Sequence, residues 1–134
     1  MIYEIGTQRP TPEQRRTVLE IADDSFLAPL PEDFGPLPCG SKWKRDDATG
    51  IALRLRCCEP HTDTWLGVGK MPSRYAAVFW VVDLPRGGEL FLQVGTRAER
   101  MMENDFVVFK DSVMHSVVSE RTWWGCSYQL RFKK

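Results

Sequence analysis

From Ile51 onward the chain is a succession of short apolar runs with a period of two, each closed by a turn signal, and no later segment keeps a helical period for long. Candidate strands are Ile51 to Cys58, Thr62 to Leu66, Tyr75 to Asp83, Glu89 to Val94, Arg97 to Met102, Phe106 to Phe109, Met114 to Ser119 and Trp123 to Phe132. Pro85-Arg86-Gly87-Gly88 relaxes the restriction on φ, and Asn104-Asp105 suits a tight hairpin. So many short antiparallel strands leave exposed edges unless the sheet closes on itself. The expected core is therefore a β-barrel or jelly roll.

Residues 1–50 read differently. Thr11 is an N-cap type, Pro12 suits the first helical position and Gln14 completes a capping box, so Thr11 to Phe26 reads as one helix. Val18, Leu19, Ile21 and Ala22 give it an apolar stripe. Pro29, Pro31, Pro36 and Pro38 then fix φ and remove donors, which makes Leu27 to Pro38 an extended connector. A chain of 134 residues is enough for one core and short for two. Residues 1–134 thus form a single domain, with a helix and Pro-rich connector over 1–50 and a β core over 51–134.

Basic and acidic residues number 18 each, and the formal charge is zero. No whole-molecule field draws a polyanion to the surface, and non-specific nucleic-acid binding is not expected. The N-terminus MIYEIGTQRP lacks the charged head and apolar run of a leader, and no stretch reaches the ~20 apolar residues of a membrane span. A cytoplasmic protein without membrane attachment is expected. Cys39, Cys57, Cys58 and Cys126 make no CxxC pair and no regular framework, so they read as reduced, with packing as their default role.

The chain has two histidines, and one opens the triplet His61-Thr62-Asp63. On a strand, residues two apart face the same side, so the imidazole and the carboxylate can converge on one ion. With 18 acids in 134 residues, an acid two places after a histidine arises by chance about one time in seven. The pair alone therefore decides little. His115 starts a strand far along the chain, where a closed β fold can return it to the pair. Two histidines and a carboxylate make the facial triad of non-haem Fe(II) oxygenases. The competing reading is a half-buried His61 with local hydrogen bonds and an unrelated surface His115.

The stretches HTDTW, RYAAVFWVVD, GGELFLQV and ENDFVVFKDSVMHSVV, taken in this order and spacing, resemble the core of the prolyl-hydroxylase-like branch of the 2-oxoglutarate and Fe(II)-dependent oxygenases. The resemblance covers about Arg54 to Arg131. It implies a double-stranded β-helix, the jelly-roll or cupin-like form of a mainly β fold, carrying one N-terminal helix. It further implies that His61, Asp63 and His115 hold Fe(II), and that 2-oxoglutarate and O2 are consumed in a dioxygenase reaction that hydroxylates a C–H bond.

In that family an Arg or Lys, commonly on the strand after the distal histidine, pairs with the distal carboxylate of 2-oxoglutarate. Trp123 and Trp124 stand at the usual offset here. Arg131, further along the same strand, is the first candidate replacement; Arg56 and Arg54 are the others. The two arginines alternate with Leu53 and Leu55, and the leucines are the expected inward pair. A tight hairpin over Ser119 to Thr122 would put Trp124, Cys126 and Tyr128 on the inward face, where Tyr128 can hydrogen-bond a co-substrate carboxylate. Arg74 reads as a rim ion-pair partner, and Trp65 is the tryptophan that parity puts near the metal.

Three functions stay open: a 2-oxoglutarate-dependent hydroxylase, an Fe(II) facial-triad enzyme that does not use 2-oxoglutarate, and a non-catalytic β-helix binding module. A zinc site at Cys57, Cys58 and His61 lacks a second spaced ligand pair. The short chain leaves little room for a lid, so an open pocket taking a protein side chain or a nucleotide is expected. Substrate identity and oligomeric state are not legible in the sequence.

Overall fold

A computed structural model describes residues 2–35, 38, 43–45, 50–61, 75–110 and 112–132, with 44, 45, 75, 131 and 132 described by their backbone. The elements in chain order are β1 (Ile2–Thr7), α1 (Pro12–Asp24), β2 (Leu27–Pro29), β3 (Trp43–Arg45), β4 (Ile51–Leu55), β5 (Cys58–His61), β6 (Tyr75–Asp83), β7 (Leu90–Val94), β8 (Arg97–Met101), β9 (Asp105–Lys110), β10 (His115–Ser119) and β11 (Trp123–Phe132). The helix begins as its sequence dictates. Thr11 Oγ1 accepts from the Gln14 amide at 3.1 Å, and Gln14 Oε1 accepts from the Thr11 amide at 2.9 Å. Two otherwise orphaned donors are satisfied by this reciprocal box.

The strands form two antiparallel sheets. The larger has the order β1-β9-β6-β11-β4-β2, with β3 also on β11, and the smaller has the order β5-β10-β7-β8. Four pairs are nested one inside the next along the chain: β4 with β11, β5 with β10, β6 with β9, and β7 with β8. Two further pairings, β6 with β11 and β7 with β10, hold the nested pairs side by side.

Period-two alternation distributes apolar residues between two cores. On β6, Ala76, Val78, Trp80 and Val82 meet Val18 and Ala22 of α1, while Ala77, Phe79 and Val81 face the small sheet. Both faces are buried, which is why β6 reads as a nearly continuous apolar run. β11 divides the same way: Cys126, Tyr128 and Leu130 join the helix side, and Trp123 joins the core between the sheets. The layers are helix, large sheet and small sheet. Among the described residues no helix is long and apolar enough to cross a membrane.

Several expectations from sequence are corrected. The run Ile51 to Cys58 is not one strand: it breaks at Arg56 and Cys57, where the chain leaves the large sheet for the small one. Tertiary bonds hold this corner, with Trp123 Nε1 donating to Arg56 O at 3.1 Å and Arg56 Nε donating to Ser119 O at 3.2 Å. Asn104-Asp105 is not a hairpin but a turn between strands of different sheets, with Asn104 at φ 76°. β10 and β11 likewise lie in different sheets, so the tight hairpin over Ser119 to Thr122 does not pair them, and Cys126 and Tyr128 pack toward α1. Residues 1–50 carry β1, β2 and β3 in addition to the helix and connector. The expected strand Thr62 to Leu66 lies outside the described residues.

Candidate metal centre

β5 and β10 pair antiparallel, and His61 and His115 are direct partners across them. Side chains opposite one another on neighbouring strands start with Cβ atoms ~4.5–5.5 Å apart. The imidazoles accordingly meet, with ring centroids 4.3 Å apart and planes inclined by 58°. His115 is only 6% exposed, which removes the surface reading of it. The edge-on contact of Phe109 with its ring, at 4.7 Å between centroids, limits its rotation.

Each ring is oriented by its own backbone. His61 Nδ1 lies 2.7 Å from Glu59 O, and His115 Nδ1 lies 2.9 Å from Val113 O. A carbonyl oxygen only accepts, so in both rings Nδ1 carries the proton. Such a bond leaves Nε2 as the nitrogen whose lone pair a metal would take once the ring is unprotonated. Both bonds run to the residue two before the histidine, so the strand conformation itself selects the tautomer.

Asp63, the third expected ligand, lies outside the described residues, as do Trp65 and Arg74. Among the described residues no group of three or more His, Cys, Asp or Glu side chains gathers around a common point. The pair that the described residues bring together is the two-histidine part of the set. Cys58 Sγ sits 3.5 Å from His61 Nδ1, on the protonated side of the ring, while Cys57 Sγ faces Ser119 O at 3.7 Å. The vicinal thiols therefore engage different partners. None of Cys57, Cys58 and Cys126 is in a disulfide; Cys39 lies outside the described residues.

A cavity of about 540 Å³ opens beside the histidines. Its walls include Leu53 and Leu55 of β4, Phe79 of β6, Phe109 of β9, Val117 of β10, and Trp123, Ser127 and Gln129 of β11, with Phe26 and Leu27 adjoining. The leucines of β4 face inward as the alternation predicts. Ser127 and Gln129 are polar wall residues that sequence reasoning did not single out. Their signal was parity: both alternate with Cys126, Tyr128 and Leu130, which pack toward the helix.

The basic candidates separate in space. Arg54 turns to the helix side and pairs with Asp23 at 3.0 Å. Arg56 is exposed at the corner, with Nε on Ser119 O. Neither lines the cavity, and no Lys or Arg is among its described lining residues. Tyr128 borders the cavity along its strand while packing in the helix-side core. Arg131 is placed by its backbone, in register with Tyr75 of β6 and Lys44 of β3, and it shares the parity of Ser127 and Gln129.

Imidazole nitrogens are donors that divalent ions of the iron or zinc type accept, and the described residues bring two of them together without a third His, Cys, Asp or Glu ligand. No protein-family model and no curated protein matches this chain.

Proposed function

We propose that the chain is an Fe(II)-dependent oxygenase on a double-stranded β-helix, with 2-oxoglutarate as its co-substrate. The observation that carries this reading is the cross-strand pair His61 and His115, rings in contact, His115 buried and His61 partly exposed, each with Nδ1 on the carbonyl two residues before it. Asp63 would complete the facial triad. The order of motifs from HTD through GGEL to MHSVV supports the same assignment.

The fold reading is supported by the nested pairs. A long hairpin made of β4 to β7 against β8 to β11, rolled so that alternate pairs fall in opposite sheets, gives the orders β9-β6-β11-β4 and β5-β10-β7-β8. These orders are the ones the jelly-roll reading requires.

Bound by His61, Asp63 and His115, iron would supply the activation of dioxygen that protein side chains cannot. The chain's own residues do the rest. Glu59 and Val113 carbonyls hold the rings in register, Phe109 fixes the plane of His115, and the apolar walls exclude water from the reacting bond.

The test is anaerobic titration with Fe(II) of the wild type, His61→Ala and His115→Ala, followed by succinate formation from 2-oxoglutarate in air. About one site per chain, lost in each variant, and slow succinate release without added substrate are expected. Equal iron uptake by all three proteins would remove the triad. A second reading, an Fe(II) enzyme that does not use 2-oxoglutarate, is favoured by the lack of Lys or Arg among the described cavity residues. Normal iron binding with no calorimetric signal for 2-oxoglutarate would select it.

A further inference from the structure

We propose that the cavity beside the histidines binds a neutral, ring-bearing small molecule, and that this molecule is the substrate. The proposal rests on the oxygenase reading for what becomes of the bound molecule, whereas the binding itself does not require a metal.

Volume is the first consideration. The cavity holds about 540 Å³, within the ~300–1,000 Å³ of small-molecule sites. A short dicarboxylate beside the metal would fill a minor part of it, and so would a single side chain inserted from another protein. The space fits a compact molecule together with the co-substrate.

The walls set the chemistry. Leu53, Leu55, Val117, Phe79, Phe109 and Trp123 supply apolar surface, and Glu59 brings the one carboxylate among the described lining residues, with no described Lys or Arg to balance an anion. Away from the cation that the oxygenase reading assigns to the co-substrate, a charged ligand pressed against these described walls loses hydration without gaining a partner among them. A neutral one gains ~25 cal/mol for each Å² of apolar surface it covers.

The aromatic rings are set edge-on rather than stacked: Phe79 and Trp123 meet at 5.1 Å and 68°, and Phe109 meets His115 at 4.7 Å and 61°. Further rings join such edge-to-face arrangements favourably. Gln129, only 2% exposed, and Ser127 line the same cavity. A few polar groups on an apolar wall orient a ligand without demanding that it be charged. At the outside, Phe26 and Leu27 are 58% and 39% exposed although both adjoin the cavity. An apolar ligand entering past them would cover surface that now faces water.

Indole and indole-3-carboxylate, alike in size and ring but different in charge, serve as probes in amide NMR of the full chain kept free of metal. Indole is expected to shift the amides of Leu53, Trp123 and Ser127 saturably, with indole-3-carboxylate weaker by about tenfold or more. Phe26→Ser should weaken indole several-fold, and the unshifted remainder of its spectrum reports an intact fold. The proposal is overturned if indole leaves those amides unmoved up to its solubility, or if the carboxylate binds as tightly as indole. Should indole bind while Fe(II) finds no site, the cavity stands as a binding site and the oxygenase reading falls. Iron and 2-oxoglutarate binding without indole binding would keep the oxygenase reading and overturn the cavity's neutral ligand.

Discussion

Replacing Gly125 by alanine would press directly on the wall behind the histidine pair. A Cβ at this position would collide with the carbonyl oxygen of Trp80 and come within 2.8 Å of Cζ3 of Trp123, where ordinary contact begins at 3.4 Å. The Trp80 oxygen belongs to the backbone of β6, the strand that β11 pairs with through most of its length. It cannot rotate away. Trp123 has little freedom either, being fully buried, bonded through Nε1 to Arg56 O at 3.1 Å and set against Phe79. Overpacking of this kind costs ~1–3 kcal/mol, and a rigid partner puts the cost in the upper half of that range. Alanine restricts the unfolded chain and recovers ~0.4–1 kcal/mol. The net loss is then about 1–2.5 kcal/mol. In urea, with a slope of ~1–3 kcal/mol per M, the unfolding midpoint should fall by about 1 M at an unchanged slope. A midpoint equal to or above that of the wild type would refute the close approach of β11 to β6 at Gly125.

Other substitutions probe separate features. Thr11→Ala removes one half of the capping box and should cost ~1 kcal/mol, read as a lower thermal midpoint. Trp123→Phe keeps the edge contact with Phe79 but deprives the Arg56 carbonyl of its indole donor, a loss of ~1–3 kcal/mol measurable by the same melt. Arg131→Ala should leave iron binding intact while weakening 2-oxoglutarate several hundred-fold or more, about 3–5 kcal/mol by calorimetry, because a dicarboxylate in a small β core needs a paired cation. Unchanged 2-oxoglutarate affinity in that variant would pass the role to another residue.

What the sequence made legible was local chemistry. The helix start was readable because Thr11, Pro12 and Gln14 act within one turn, and β6 was readable because an apolar run buried on both faces has one period and no interruption. The break at Arg56 was hidden: alternation runs on through Ile51 to Cys58, and the corner is made by Trp123 and Ser119 from the far end of the chain. The inward parity expected of Tyr128 failed for a related reason. It assumed that consecutive strands pair, whereas among the described strands only β7 and β8 are both consecutive and paired. β2 was obscured by Pro29, which an edge strand tolerates. The two histidines were visible as a candidate pair from their scarcity and strand positions. Their facing one another is a property of the β5 and β10 register, which no local pattern encodes.

The nesting of the pairs also orders the folding reaction. β7 and β8 are joined only by Gly95 and Thr96, and Gly95 adopts φ +60°, so this hairpin closes the shortest loop in the β core. Each surrounding pair closes a longer one, at an entropic cost that rises slowly with length. Zipping outward from that turn joins β6 to β9 first, brings His61 to His115 next, and seats β11 against β4 last. The histidine pair is therefore the third of the four nested pairs to form, after β7 with β8 and β6 with β9 and before β4 with β11. Metal binding should lengthen the lifetime of the native state by slowing unfolding and should leave the refolding rate nearly unchanged, while substitutions at the Gly95 turn should do the opposite.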